Sequence, residues 1–370
     1  MTRKEFYNEI LKLAPSEYDA SKCEFRDHLK KTLNDYLVLL DKLDVDERPE
    51  GDVWDGIVQK NKELIEAINK SVEYYYEGRH SRAFEELNKN ISTIGINVLT
   101  NLPDLYRMRI FDDGEKHDRN GMFHIPFNKR TIVKTQRYSI PGYPCLYLGA
   151  SAYVCWEEMH RPNLDKYYVS RFYSDREKIR FIDLSLPTWY SNTVYTGAEK
   201  QYVDKTVKEL KLDLQVLPLV LACMVKVAKS EDAFKPEYII PQLLMEWVIE
   251  KRNASSKQYH KELIGIVYTS VHKSNDITFP LSKLTNYAIP AFMKNSDETK
   301  YSKELCEMFQ LTEPTCDELE RAKCPYKVIK RDEEMSDLEY NYRILGQFEA
   351  RLKDETKFPL DKIDNSTFGS

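Results

Sequence analysis

The chain has 370 residues, 42% of them hydrophobic, which is enough to bury the core of two domains or of one elaborated domain. Its charged fraction is 31% and its formal net charge is -5, so there is no global basic field to recruit nucleic acid, and a nucleic-acid partner is not expected. Seven cysteines at irregular spacings, with no CxxC, argue against a disulfide scaffold and a zinc knuckle and for reduced thiols.

The N-terminus, Met1 to Phe6, lacks the apolar run of a signal peptide, and no stretch approaches the roughly 20 apolar residues of a membrane span. These features predict a soluble, cytoplasmic protein with no membrane association. Residues 1 to about 98 read as a helical domain. Phe25, Leu29, Leu33, Tyr36, Leu37, Leu40 and Leu43 recur at helical spacing. A second helix carries Ile57, Leu64, Ile65, Ile68 and Val72, and a third carries Ala83, Phe84, Leu87 and Ile91. The Arg48–Asp52 stretch punctuates the first pair and Gly78 the second.

From about residue 99 the texture changes to short β-branched and aromatic runs between Pro and Gly turns. Strands are predicted at Arg130–Val133, Cys145–Leu148, Ile179–Ile182 and Ile264–Tyr268. Helices are predicted at Ser151–His160, at about Val203–Lys211 and at Pro241–Lys251, where Pro241 suits a first helical turn. Ser336–Lys353 reads as a C-terminal helix before a tail. The fold class expected is α+β, divided into a helical domain (1–98), a mixed domain (99–330) and a C-terminal helix with its tail (331–370).

Within the mixed domain, Arg107 and Arg109 alternate with Tyr106, Met108 and Ile110. Side chains two apart on a strand point the same way, so the two guanidiniums form either a paired anion grip or a solvated edge. Arg137 precedes a Pro141-Gly142 turn and the strand Cys145–Leu148. In the helix that follows, two carboxylates compete. At 100° per residue, Ser151, Val154, Cys155 and Glu158 share a stripe flanked by Ala152 and Met159, whereas Glu157 points with Tyr153 and His160. Glu158 is therefore expected to be the desolvated carboxylate and Glu157 to lie on the polar side. Ser270 ends the apolar run that starts at Gly265; by itself it is an ordinary strand-end residue.

Taken in order, these blocks resemble the RES-domain family, named for its Arg, Glu and Ser, over roughly residues 103 to 292. The resemblance implies a mixed fold similar to that of ADP-ribosyltransferases, with NAD as a substrate that is cut at the nicotinamide–ribose bond. It assigns Arg137 to the family's Gly-Arg-aromatic block, with Gln136 in place of the glycine, and Tyr147 to its strand tyrosine. The family's Glu follows that tyrosine by about eleven residues, which also selects Glu158, and its Ser falls at Ser270. Glu158, Arg107, Arg137 and Ser270 are the catalytic candidates this implies. Arg109, Tyr138, Tyr147, Tyr268 and Gln242 are the candidates for holding the substrate. No cofactor and no metal is expected, and inorganic phosphate is a candidate co-substrate. The resemblance further implies a toxin or NAD-depleting effector restrained by an antitoxin or regulatory protein. Protein ADP-ribosylation and an inactive interaction module are the rival outcomes. Residues 1–98 faintly resemble helical HEPN-like domains but lack the Arg and His four to six residues apart of HEPN ribonucleases, which points to regulation or homodimerisation. There is no GxGxxG and no GxxxxGK, so neither a dinucleotide redox site nor a P-loop is indicated.

Overall fold

The computed structural model describes the chain except for residues 93–97, 100–101, 113–116, 164–165, 187–206, 255–261, 273–280, 294–299, 324–334, 357 and 360–370. Cys324, the tail from 360, and the start of the helix expected from Val203 lie outside the described residues. The fold is α+β, with a helical N-terminal region. It comprises two compact units. The first holds Met1–Val98, Thr135–Ile140 and Phe181–Val271, and the second holds Leu99–Lys134, Pro141–Arg180 and His272–Ser370. The first switch falls between Val98 and Leu99, and the chain then re-enters the first unit twice.

In the first unit, α1 (Arg3–Leu13), α2 (Phe25–Asp41), α3 (Gly51–Tyr76) and α4 (His80–Ile91) come in succession. Thr2 opens α1 with a capping box: its hydroxyl accepts from the Glu5 amide, and the Glu5 carboxylate accepts from the Thr2 amide at 2.9 Å. The stripe of α2 (Phe25, Leu29, Leu33, Tyr36 and Leu40) and that of α3 (Ile57, Leu64, Ile68 and Val72) are buried as their spacing predicts. Gly78, at φ +73°, takes the left-handed turn between α3 and α4 that side-chain-bearing residues avoid.

The same unit contains α6 (Val207–Cys223) and α7 (Ile239–Ala254), with strands β5 (Arg180–Leu184) and β6 (Leu263–Thr269) adjacent. The sequence places a helix at about Val203–Lys211; it extends twelve residues beyond that end. Two features conceal it. Its second half, from Leu214, is buried on all sides and so carries no amphipathic stripe, and Pro218 resembles a helix breaker. Proline has no N–H to give the carbonyl four residues earlier, which is that of Leu214. The Tyr36 hydroxyl of α2 bonds that carbonyl at 2.9 Å, so the missing donor is replaced from a neighbouring helix.

The second unit is built on antiparallel strands in the order β7–β3–β2–β4–β8–β9. These are β7 (Thr285–Pro290), β3 (Cys145–Gly149), β2 (Leu105–Arg109), β4 (Tyr168–Tyr173), β8 (Gln310–Leu311) and β9 (Phe358–Pro359). A two-residue strand, β1 (Val98–Leu99), straddles the first boundary between units. The strand expected at Arg130–Val133 is instead part of a 3-10 helix, Phe127–Ile132. Ile132 is 58% exposed, so its β-branched composition serves no buried face there.

Helix α5 (Ala152–Glu158) and α10 (Asp337–Asp354) pack together; the short helices α8 (Lys303–Met308) and α9 (Asp317–Lys323) precede α10. Ser151 caps α5 by accepting from the Val154 amide at 3.0 Å, and buried Glu349 of α10 accepts from the Ala152 amide at 2.8 Å. Arg171 of β4 donates to the Lys353 carbonyl at 2.9 Å and pairs with Asp104, fixing the C-terminal end of α10.

Gly149 sets how closely α5 lies on the sheet. A Cβ there would sit 2.5 Å from Val154 Cγ1, 2.7 Å from Cys155 Sγ and 3.0 Å from the Ser151 carbonyl oxygen. Gly149→Ala should therefore destabilise the fold by about 1–3 kcal/mol through overpacking. Urea denaturation followed by circular dichroism is the check; an unchanged midpoint would mean that α5 does not pack this tightly.

Candidate active site

The residues singled out in the sequence divide between the two units. Arg107, Arg109, Tyr147 and Glu158 belong to the second, and Arg137, Tyr138, Gln242, Tyr268 and Ser270 to the first.

In the second unit, the pairing of Gly149 with Tyr106 and with Asn286 puts these three on one face, together with Tyr147. The virtual Cβ of Gly149 points at α5, so this is the face that α5 covers. Arg107 and Arg109, opposite Ser170 and Tyr168 on β4, project together on the other face, as their alternation predicts. Arg109 donates to the Gly121 carbonyl at 2.7 Å and lies over the Phe111 ring. Arg107 is different. Its Nη1 is buried without a hydrogen-bond partner, and burial, aided by the like charge of Arg109, lowers its pKa to about 10. The buried Ser170 hydroxyl, directly across the strand, also lacks a partner. His124 lies close enough to feel the charge of Arg107. Burial and that charge hold it neutral, at about 3, with Nδ1 donating to the Ile125 carbonyl and Nε2 accepting from the Ser302 amide.

The burial of the two glutamates is the reverse of the expectation. Glu157 is 3% exposed, whereas the Glu158 side chain is 31% exposed. The side of α5 read as polar is covered by α10, whose Tyr342 packs edge-on against Tyr153. Helical phase alone cannot tell which face of a seven-residue helix is covered when neighbours approach from two sides. Glu157 accepts from the Tyr153 hydroxyl and, through its other oxygen, from Arg161 Nε at 3.0 Å. Glu158 ends the helix. Its Oε1 accepts from Asn286 Nδ2 at 2.7 Å, and its Oε2 lies 4.0 Å from His272 Nε2. Asn286 and His272 were not among the sequence candidates. The directly paired position of Asn286 opposite Gly149 is what brings it to the helix, and no local motif signals that.

In the first unit, Arg137 donates from Nη1 to the carbonyls of Cys223 and Val225, at 2.8 and 3.0 Å, and lies over the Tyr238 ring. It satisfies the C-terminal end of α6, a structural use that the anion-gripping expectation did not include. The Gln242 amide of α7 donates to the carbonyls of Gln136 and Ser139, both at 3.1 Å, and so supports the short segment that carries Arg137. Tyr138 and Tyr268 pack ring to ring at 4.5 Å. Ser270 is fully buried at the end of β6, next to Thr269, whose hydroxyl accepts from the Leu186 amide. The buried Cys223 thiol is pushed up to about 12, as is that of Cys155 in the second unit, so neither is a ready nucleophile.

Because Arg137 serves two buried carbonyls, Arg137→Ala should destabilise the protein by about 2–4 kcal/mol. Thermal and urea unfolding measure this. A variant as stable as the parent would free Arg137 for a ligand-binding role.

Among the described residues no His, Cys, Asp and Glu group is placed to hold a metal ion, and no helix is long and apolar enough to cross a membrane. No family model matches the chain, and no solved structure matches it. A Bacillus subtilis (strain 168) protein named "Putative toxin YopC" is 38% identical to it over 271 residues, covering 70% of this chain. The chain spans 59% of the length of that relative.

Proposed function

We propose that this protein splits NAD at the nicotinamide–ribose bond and acts as a toxin, with Glu158 as the carboxylate facing the ribose. The observation that carries this reading is on α5: Glu157 is 3% exposed and tied to Tyr153 and Arg161, whereas Glu158 is 31% exposed at the helix end, with Oε1 held by Asn286. The resemblance of the ordered motifs to the RES-domain family supports it, and the name of the Bacillus relative supports the toxin part.

When the bond between ribose C1′ and the nicotinamide nitrogen breaks, its electron pair leaves with nicotinamide and positive charge develops on the ribose. A carboxylate beside that carbon stabilises the charge. Water then gives ADP-ribose and a proton, whereas phosphate gives the 1-phosphorylated ADP-ribose. Arg107 and Arg109 lie on the sheet face away from α5, and the unpartnered Nη1 of Arg107 leaves a donor there that a phosphate oxygen can take. Tyr147 packs on the nicotinamide or ribose. Arg137, Tyr138, Gln242, Tyr268 and Ser270 belong to the first unit and take no part in this reading. A toxin of this kind requires an antitoxin or other restraint, and a homodimer is the assembly in which the N-terminal helices would exert control.

The test is to incubate purified full chain with NAD, with and without phosphate, and to identify the products by mass. Release of nicotinamide with a matching ADP-ribose product is expected. NAD left intact at every phosphate concentration, with no protein ADP-ribosylated, would remove the enzymatic reading.

A further inference from the structure

On the face of the second unit's sheet away from α5, two buried polar groups stand side by side without partners. Arg107 of β2 is paired directly with Ser170 of β4, so their side chains leave the sheet together, with Cβ atoms about 5 Å apart. Arg107 Nη1 and Ser170 Oγ are both shut off from solvent, and neither has a hydrogen-bond partner, each other included. Ser170 is fully buried, whereas Arg107 as a whole is half-buried, so its closed nitrogen lies near the surface rather than in the deep core.

Buried polar groups almost always find partners, and a buried unpaired cation is among the costliest exceptions. Other arginines of this unit are matched: Arg171 pairs with Asp104, and Arg351 lies 3.2 Å from Glu320. Arg107 sits instead beside a like charge, that of Arg109, two residues along on the same face. His124, which is buried close enough to feel Arg107, does not relieve it. Its Nδ1 donates to the Ile125 carbonyl and its Nε2 accepts from the Ser302 amide, so the ring is neutral and both nitrogens are used.

We propose that Arg107 and Ser170 form a subsite for one phosphate group, the guanidinium supplying charge and a donor, the hydroxyl a second donor. A tetrahedral oxyanion suits this place because it offers several acceptor oxygens at once and brings the negative charge that two adjacent arginines lack. A water molecule would bridge the two groups but leave the like charges unopposed. The phosphate is either the free ion or part of the NAD pyrophosphate, and its chemistry at Arg107 is the same. The subsite rests on the reading of Arg107 as an anion donor given above, yet does not require that NAD be cut. Ser170 is the residue it adds, and only strand pairing brings that serine opposite Arg107.

The experiment is calorimetric titration of the full chain with inorganic phosphate, against sodium chloride at equal ionic strength, for the parent, Ser170→Ala and Arg107→Met. The parent should bind a single phosphate per chain. Ser170→Ala should weaken that binding by about tenfold, and Arg107→Met by about 10–100-fold. Without phosphate, thermal unfolding should show both variants at least as stable as the parent, since each removes a buried group that lacks a partner. Titrating NAD into phosphate-saturated protein identifies the source. Competition would make the subsite part of the NAD site, and independent binding would make it a separate site for the free ion. Phosphate and NAD affinities that are the same in the parent and in Ser170→Ala, or a parent that binds neither, would overturn the subsite and leave a gap that holds water only. NAD that binds through Ser170 and is not cut would leave the subsite standing and remove only the proposed reaction.

Discussion

Glu158→Gln should lower nicotinamide release by about 100-fold or more, the usual cost of losing one electrostatic contact to a transition state, while leaving the melting temperature nearly unchanged. Its side chain is 31% exposed and its Oε1 accepts from Asn286, a bond that the amide oxygen of glutamine can keep. Glu157→Gln should do the reverse. It neutralises a carboxylate that is 3% exposed and serves both Tyr153 and Arg161, and an amide cannot accept from both in the same way. The expected cost is about 1–3 kcal/mol of stability, towards the lower end because Arg161 is itself partly in solvent. Nicotinamide release per folded molecule should then fall far less than for Glu158→Gln. Steady-state assays and urea denaturation on the same preparations separate the two. If Glu157→Gln is the inactive and stable variant, the assignment on α5 is reversed.

Arg107→Met carries the second large effect, and its two readouts have opposite signs. In the free protein, Arg107 buries a guanidinium nitrogen with no partner beside the like charge of Arg109. Replacing such a cation by an apolar side chain of similar length should leave stability unchanged or raise it. The anion that would have completed the site loses a charge-assisted donor, so binding of NAD or inorganic phosphate should weaken by about 10–100-fold. Calorimetric titration with NAD and with phosphate measures the second effect, and thermal unfolding without either measures the first. A strongly destabilised variant with unchanged anion affinity would make Arg107 a structural cation. Comparison with Arg137→Ala sharpens the test, because Arg137 already has two carbonyl partners and its loss should show in stability.

Short-range patterns carried much of this protein in the sequence. The stripes of α2 and α3 and the C-terminal helix are written as local periodicity, β3 and β6 as β-branched and aromatic runs between turns, and α7 as a helix opened near Pro241; each is where those patterns predict. The common direction of Arg107 and Arg109 follows from strand alternation alone. The strand expected at Arg130–Val133 failed because composition without a buried face does not make a strand, and α6 was underestimated because complete burial erases the stripe that marks a helix.

What periodicity could not carry were facts that depend on a partner far along the chain. Arg137 is a structural tie because the carbonyls of Cys223 and Val225, 86 and 88 residues later at and just past the end of α6, lie beside it. Glu157 is the buried glutamate because α10 covers one side of α5, with Tyr342 against Tyr153. The helical region and residues 181–271 share a unit, within which the carbonyl orphaned by Pro218 is met by Tyr36, 178 residues earlier. Side-chain direction along one element is set by local geometry and is therefore legible in the sequence. Burial and hydrogen-bond partnership are set by which elements meet, and only the tertiary structure decides that.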